Sequence, residues 1–306
     1  MGTNTESFFE QTGIHQRHIA APEQAASDLA LPAAEAALTA AGLTTDDIGL
    51  IVMATITPDM SCPAGANFVQ AKLKADQALT FDVAAGCSGF LFAMFIAQQY
   101  LLAGFCDHVL LVASDVLSRT VNWEDASSAM LWGDGAGAAV ISRNGKRDHP
   151  APRILSVHAH TDGADCRNLS LPGAGSRVSP ITHQSVDENL HAIRMIQDDV
   201  SDSVTVERYV ETCKEAVQAG RVSLNDVNRF ITHQADKRII SALAEKFKVD
   251  VNRFYQNADK YGNCSAASLA LALDEAVRTD AIRKNDLVCL TAVGGGLTWA
   301  SALIKW

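Results

Sequence analysis

Three side chains in this chain have the types and positions for thioester chemistry: Cys87, His233 and Asn263. Cys87 stands at the turn between an apolar run, Thr80–Ala84, and a long apolar stretch that continues to Gly104. A thiol at that point meets the unpaired N–H groups and the positive dipole end of a helix. Both lower its pKa, so Cys87 is predicted to be the most reactive of the seven cysteines and a nucleophile. His233 closes the apolar run Phe230–His233, at the carboxyl end of a predicted core strand, the edge where open α/β sheets hold their ligands. Asn263 opens a second long apolar helix within Tyr261–Val277. Brought together, the thiolate would take an acyl group while imidazole and amide N–H donors stabilise an enolate or oxyanion. Each residue also has an ordinary reading: a small buried thiol, a surface histidine, a helix cap. Gly294-Gly295-Gly296, after the predicted strand Leu287–Val293, can bring further backbone N–H groups to a reacting oxygen.

Competing chemistries fit less well. Gly86-Cys87-Ser88-Gly89-Phe90 lacks the second glycine of a hydrolase nucleophile elbow around Ser88. Gly133-Asp134-Gly135-Ala136-Gly137 is followed by strand-like rather than helical sequence, against a dinucleotide loop, and is predicted to be a tight strand-to-strand turn. There is no phosphate-binding Walker pattern and no metal-ligand cluster in the sequence.

The elements that must position these residues occur twice. Ala36–Ala54 (AALTAAGLTTDDIGLIVMA) and Ala216–His233 (AVQAGRVSLNDVNRFITH) share one order of signals: helix, glycine stop, capping turn with Asp47 or Asp226, then an apolar run. Some forty residues later each copy has a small-residue turn opening a long helix, at Cys87 and at Asn263. CDHVLLVAS (Cys106–Ser114) then answers NDLVCLTAV (Asn285–Val293), and a glycine-rich segment leads each copy into a last strand. Short apolar strands alternating with helices predict largely parallel sheets buried on both faces. Two such copies imply two α/β halves, residues 1–145 and 146–306, with helices between and outside their sheets. The second copy has an early strand, Ile154–His158, that the first lacks. Either the chain starts late or the first half is built differently, and a missing strand would leave a sheet edge open.

Composition bounds the rest. The chain has 306 residues, 48% of them hydrophobic and 20% charged, which suits two domains or one large layered one. A net charge of −10 with scattered basic residues argues against nucleic acid or an anionic membrane as partner. Seven cysteines without a CxxC pair point to reduced thiols in a cytoplasm. The N-terminus lacks the order of a signal peptide, and the most apolar stretch is too short to span a bilayer.

In family order from residue 12 onward, the chain resembles β-ketoacyl-[acyl-carrier-protein] synthase III and its thiolase-fold relatives. The matching stretches are TGIHQRHIAAP (Thr12–Pro22), FDVAAGCSGFLFA (Phe81–Ala93), WGDGAGAAVI, ITHQADKRI, KYGNCSAASLALALDEA and AVGGGLTWASALIKW. The resemblance implies an αβαβα layered sandwich, a Cys87-His233-Asn263 triad and an oxyanion hole from the N–H groups of Cys87 and Gly295. It implies a decarboxylating condensation of an acyl primer with malonyl-acyl carrier protein, a homodimer, and no metal or redox cofactor. Cys62, before Pro63, falls where the family shapes its primer pocket, and Arg238 matches an arginine available to the carrier. The departures fall at Ser7 and Ala126, where the family grips coenzyme A with a tryptophan and an arginine, at Gln11, and at Asp236 of the His-Gln-Ala-Asp run. Two rival expectations remain: an acyltransferase that does not decarboxylate, against which Asn263 speaks, and a silent thiolase-fold partner or scaffold.

Overall fold

A computed structural model describes residues 5–143, 152–178, 181–195, 199–234 and 237–306. In the first half the chain runs α1 (Thr5–Thr12), α2 (Ala26–Ala41), β1 (Leu50–Ala54), α3 (Gly65–Leu73), β2 (Leu79–Val83), α4 (Gly89–Leu102), β3 (His108–Val116), α5 (Ala126–Ala129) and β4 (Asp134–Ser142). The second half runs β5 (Arg153–Thr161), β6 (Leu169–Ser170), α6 (His183–Asp187), β7 (Arg194–Met195), α7 (Asp199–Ala219), β8 (Arg229–Thr232), α8 (Lys237–Phe247), β9 (Phe254–Tyr255), α9 (Ala258–Tyr261), α10 (Ala266–Arg278), β10 (Leu287–Gly294) and β11 (Thr298–Lys305).

Two large sheets form, in the orders β2-β1-β3-β4 and β5-β11-β10-β8-β9, and β6 pairs with β7 as a separate short antiparallel ribbon. The inner pairs β1/β2, β1/β3, β8/β10 and β8/β9 are parallel, whereas β3/β4, β10/β11 and β5/β11 are antiparallel. The sheets are therefore more mixed than the repeated pattern alone predicts.

Their strands are buried on both faces, and alternation sorts the side chains. Ile51, Met53, Leu110 and Val112 pack outward against α2 and α3, while Leu50, Val52, Val109 and Leu111 face inward. The inner faces of both sheets close on α4 and α10, and α7 with α8 cover the outer face of the second sheet. The result is the αβαβα sandwich. Helix α4 is apolar all round because it lies in the central layer, where each fully buried Phe90 or Leu91 contributes about 1.5–3 kcal/mol.

The repeat is visible in its hydrogen bonds. The backbone N–H of Thr44 donates to Asp47 at 2.8 Å, and that of Ser223 donates to Asp226 at 2.8 Å, so both aspartates close the same turn before β1 and β8. β4 is only partly buried, whereas its counterpart β11 is covered between β5 and β10. Among the described residues no strand pairs with the outer edge of β4.

The Gly133–Gly137 segment is not the predicted tight turn. From Asp134 on it is the start of β4, paired with Val116–Ala113. Asp134 itself is a buried tie: its carboxylate accepts from the N–H and Oγ of Ser118 and the N–H of Ala20. The glycines admit helix α10, since a Cβ on Gly137 would stand 2.6 Å from Ala270 Cβ and 3.0 Å from its carbonyl carbon. That requirement comes from a partner 130 residues away, so the local pattern does not carry it. Overpacking of this kind costs about 1–3 kcal/mol. Gly137→Ala is expected to lower the urea midpoint with the slope unchanged, and an unaltered midpoint would mean that α10 can yield.

Among the described residues no helix is long and apolar enough to cross a membrane, and no cluster of three or more potential ligands could hold a metal ion.

Candidate active site

Cys87 occupies a single turn, Gly86–Ser88, between β2 and α4. Gly86 adopts φ +51°, a left-handed value that turns the chain sharply ahead of the helix. The far end of β10 presses against this turn. A Cβ on Gly294 would lie 2.7 Å from the Cys87 nitrogen, and one on Gly86 would lie 3.3 Å from the Gly295 nitrogen. The backbones of Cys87 and Gly295 are thus neighbours across the two halves. Thr298 of β11 braces the turn: Ser88 Oγ donates to Thr298 Oγ1 at 2.7 Å, and Thr298 Oγ1 donates to the Ala85 carbonyl at 3.0 Å.

The sequence reading is corrected on the thiol's acidity. Cys87 does sit at a helix start, but burial pushes its pKa up to about 12, and the Asp115 carboxylate adds to the rise. Cys62 and Cys166 are exposed, whereas Cys87 is buried.

His233 follows β8 and donates its backbone N–H to Thr291 of β10 at 2.9 Å. Its side chain is buried, with no hydrogen-bond partner on Nδ1 or Nε2 among the described residues. Burial pulls its pKa down to about 4, so at neutral pH the ring is uncharged and holds one N–H to donate. Gln234 fixes this corner, donating to the Thr232 and Tyr255 carbonyls and accepting from the Asn257 N–H. A buried histidine with both nitrogens unengaged is costly in a static core and suits a site that receives a ligand.

Asn263 is held on both sides of its backbone. Its N–H donates to Leu131, its carbonyl accepts from Gly133, and its Oδ1 accepts from the Ser265 N–H at 2.9 Å. That last bond orients the amide and leaves the NH2 end to donate. The starts of α4 and α10 touch: a Cβ on Gly89 would lie 3.2 Å from both Ala266 Cβ and Ala54 Cβ. Cys87, Gly295 and Asn263 therefore gather at the seam, with His233 at the end of the strand beside β10.

Of the other expected residues, Cys62 is exposed on the bend before α3, and Arg238 is exposed in the first turn of α8. The side chains of Ser7 and Gln11, and residues Ala235 and Asp236, lie outside the described residues. Ala126 stands beside a cavity of about 420 Å³ lined by Asn122, Asp125, Ser128, Glu188 and Arg194, among others.

Three further residues border the site. Tyr209 of α7 is buried near Cys87, its hydroxyl meeting the Val293 backbone, and burial raises its pKa. Ser265 and Asp115 are buried beside Cys87. Asp115 had a signal in the sequence, a carboxylate at the carboxyl end of an apolar strand. Tyr209 and Ser265 had none.

The 3-oxoacyl-[acyl-carrier-protein] synthase III family model matches residues 81–163, and the model of its C-terminal part matches residues 217–306. The β-ketoacyl-[acyl-carrier-protein] synthase III of Caldanaerobacter subterraneus subsp. tengcongensis is 42% identical over 99% of this chain and 90% of its own length. That of Clostridioides difficile is 41% identical over 100% and 91%. The crystal structure of 3-oxoacyl-[acyl-carrier-protein] synthase III from Aquifex aeolicus VF5 superposes with a TM-score of 0.89 at 36% identity, covering 99% of this chain and 92% of that one. The fold and these relatives are those of an acyl-transferring condensing enzyme of the thiolase superfamily. Within that class the chain belongs to the β-ketoacyl-[acyl-carrier-protein] synthase III family.

Proposed function

We propose that the chain joins an acyl primer, carried as a thioester on Cys87, to malonyl-acyl carrier protein by decarboxylating Claisen condensation, starting fatty-acid or related chains. The observation that carries this reading is the seam itself: a buried thiol against the Gly294–Gly295 backbone, with an oriented Asn263 at the start of the facing helix and a buried, neutral His233 at the end of β8, the strand beside β10.

Cys87 sulfur attacks the primer carbonyl, whose oxygen takes the N–H groups of Cys87 and Gly295, and the carrier thiol departs. Malonyl thioester follows. Carbon dioxide leaves with its bond electrons left on the α-carbon, and His233 and Asn263 donate to the resulting enolate oxygen. The α-carbon attacks acyl-Cys87, the thiolate is released, and β-ketoacyl-acyl carrier protein results. Electrons for the new bond come from the broken C–CO2 bond, so this reading calls for no metal or redox cofactor.

Other parts of the reading rest on particular features. The boundary at 145/146 lies outside the described residues, and on either side of it each half contributes one helix start to the site, α4 and α10. A homodimer fits the open edge of β2, where Leu79, Leu102 and Phe105 are exposed on one flank and Phe81, Tyr100 and Phe105 rings cluster. Seven free cysteines fit a cytoplasmic enzyme. Exposed Arg238 offers a charge to an acidic carrier, and Cys62 lies by position with the primer-shaping residues of the family.

The primer's carrier is also open to test. Ala126 offers no cation to a nucleotide, and its neighbouring cavity brings two carboxylates, Asp125 and Glu188, against one Arg194, whose guanidinium donates to the Glu188 carbonyl. A stacked base on an aromatic ring and a guanidinium gains roughly 1–3 kcal/mol, about one to two decades of affinity. Acyl-carrier-protein primers are expected to exceed coenzyme A primers in kcat/KM by about tenfold or more for one acyl chain. Mass spectrometry after incubation with both donors, then malonyl-acyl carrier protein, tests the whole reading. An adduct at Cys87 that malonyl converts to β-ketoacyl product supports it. No adduct from any donor sinks it.

A further inference from the structure

Acylation of Cys87 must dispose of a thiol proton, and the residues assigned above are poor acceptors. His233 shows a pKa near 4. Another group stands closer in chemistry. Asp115, at the inner end of β3, is wholly buried. Its Oδ1 accepts from Thr55 Oγ1 at 3.0 Å, the Ile56 N–H at 2.8 Å, the Thr57 N–H at 3.2 Å and Thr57 Oγ1 at 3.0 Å. Among the described residues its Oδ2 has no aligned partner, which in a buried carboxylate calls for a reason.

Ser265 supplies one. It is buried, one residue ahead of α10, in a backbone conformation (φ +52°, ψ −130°) that a residue with a Cβ rarely adopts. Such strain persists where surroundings impose it, commonly at functional sites. Here the strained conformation points the Ser265 N–H at Asn263 Oδ1. The Ser265 hydroxyl has no fully aligned hydrogen bond, yet it interacts with both the Cys87 thiol and the Asp115 carboxyl, favouring the charged form of each. The Gly89–Ala266–Ala54 contact holds α4, α10 and β1 together, and β1 pairs with β3, the strand of Asp115, through Ala54 and Ala113, so the frame uses none of these side chains.

We propose that Ser265 is a catalytic residue of acylation, passing the Cys87 proton to Asp115, which acts through it as the positioning base. This rests on Cys87 being the acylated residue. As the new S–C bond forms, the Cys87 S–H proton moves to Ser265 Oγ, and the serine's own proton moves to Asp115 Oδ2. When the intermediate collapses, the primer's bond to its carrier sulfur breaks and the departing thiolate recovers the proton by the reverse path. The transfer leaves the charge of the site unchanged and removes the carboxylate that opposes a thiolate.

Burial raises Asp115 to about 6 and lowers His233 to about 4, so at neutral pH Asp115 is ionised and is the stronger base of the two. The titratable groups that face Asp115 are the thiols of Cys87 and Cys264; its other close neighbours are the hydroxyls of Thr55, Thr57 and Ser265.

The test is single-turnover acylation by acyl-carrier-protein primer, followed by mass spectrometry from pH 5 to 9, on the wild type, Ser265→Ala and Asp115→Asn. Asparagine keeps an Oδ1 for the donors of Thr55, Ile56 and Thr57; should it fail to fold, Ser265→Ala decides alone. Wild-type acylation is expected to rise through about pH 6 and level off. Both variants should acylate about 10²–10⁴-fold more slowly at pH 7, lose the inflection, and climb steadily with hydroxide. Malonyl decarboxylation should fall far less, a split that a merely structural defect does not produce. Variants that acylate within tenfold of wild type and keep the inflection overturn the relay alone. Absence of any adduct in the wild type overturns the function reading with it.

Discussion

Cys87→Ala should lose condensation by on the order of 10⁶ in kcat, the scale seen when a covalent nucleophile is removed. No acyl adduct should form from any donor. The change removes one sulfur from a buried turn, so folding should survive, with stability altered by about 1 kcal/mol. The rival nucleophile is Cys264, next to Asn263. It is wholly buried, its Sγ donates to the Tyr261 carbonyl at 3.4 Å, and burial raises its pKa even further than that of Cys87. An adduct mapped to Cys264 in the Cys87→Ala protein would reassign the site.

His233→Ala and Asn263→Ala should each lower malonyl decarboxylation by on the order of 10²–10³, the usual effect of deleting one oxyanion donor. Acylation of Cys87 should be largely spared, because neither donor faces the transferring acyl carbonyl in the proposed path. Burial lowers the pKa of His233, so the neutral ring persists down to about pH 4 and protonates below it. Decarboxylation should therefore show no His233 inflection between pH 5 and 8. Acylation and decarboxylation measured separately on each variant decide the matter: if His233→Ala blocks acylation and spares decarboxylation, the two roles are exchanged.

The residues that do the named chemistry were legible because each stands at a boundary the sequence marks. Cys87 and Asn263 open apolar helices, and His233 ends an apolar strand. The layered fold was legible from the doubled order of signals, with Asp47 and Asp226 in matching turns. What escaped depends on distant contacts. The glycines of β4 look like a turn until α10 lies against them. The thiol's raised pKa follows from burial and from Asp115, and neither is written around residue 87. Ser265 is one serine among several in a small-residue run, and only its backbone conformation and its two buried neighbours set it apart.

The bond from Ser88 to Thr298 joins positions 210 residues apart, and the last strand follows the glycine loop that carries Gly295. A ribosome must therefore release the chain as far as Thr298 before the turn around Cys87 can be braced. Throughout synthesis the thiol waits on a growing chain without the parts that make it useful. Closure over such a distance in sequence is slow compared with forming a local helix. Reactivity is thereby made to depend on β11: a chain stopped before it holds the nucleophile and lacks its brace.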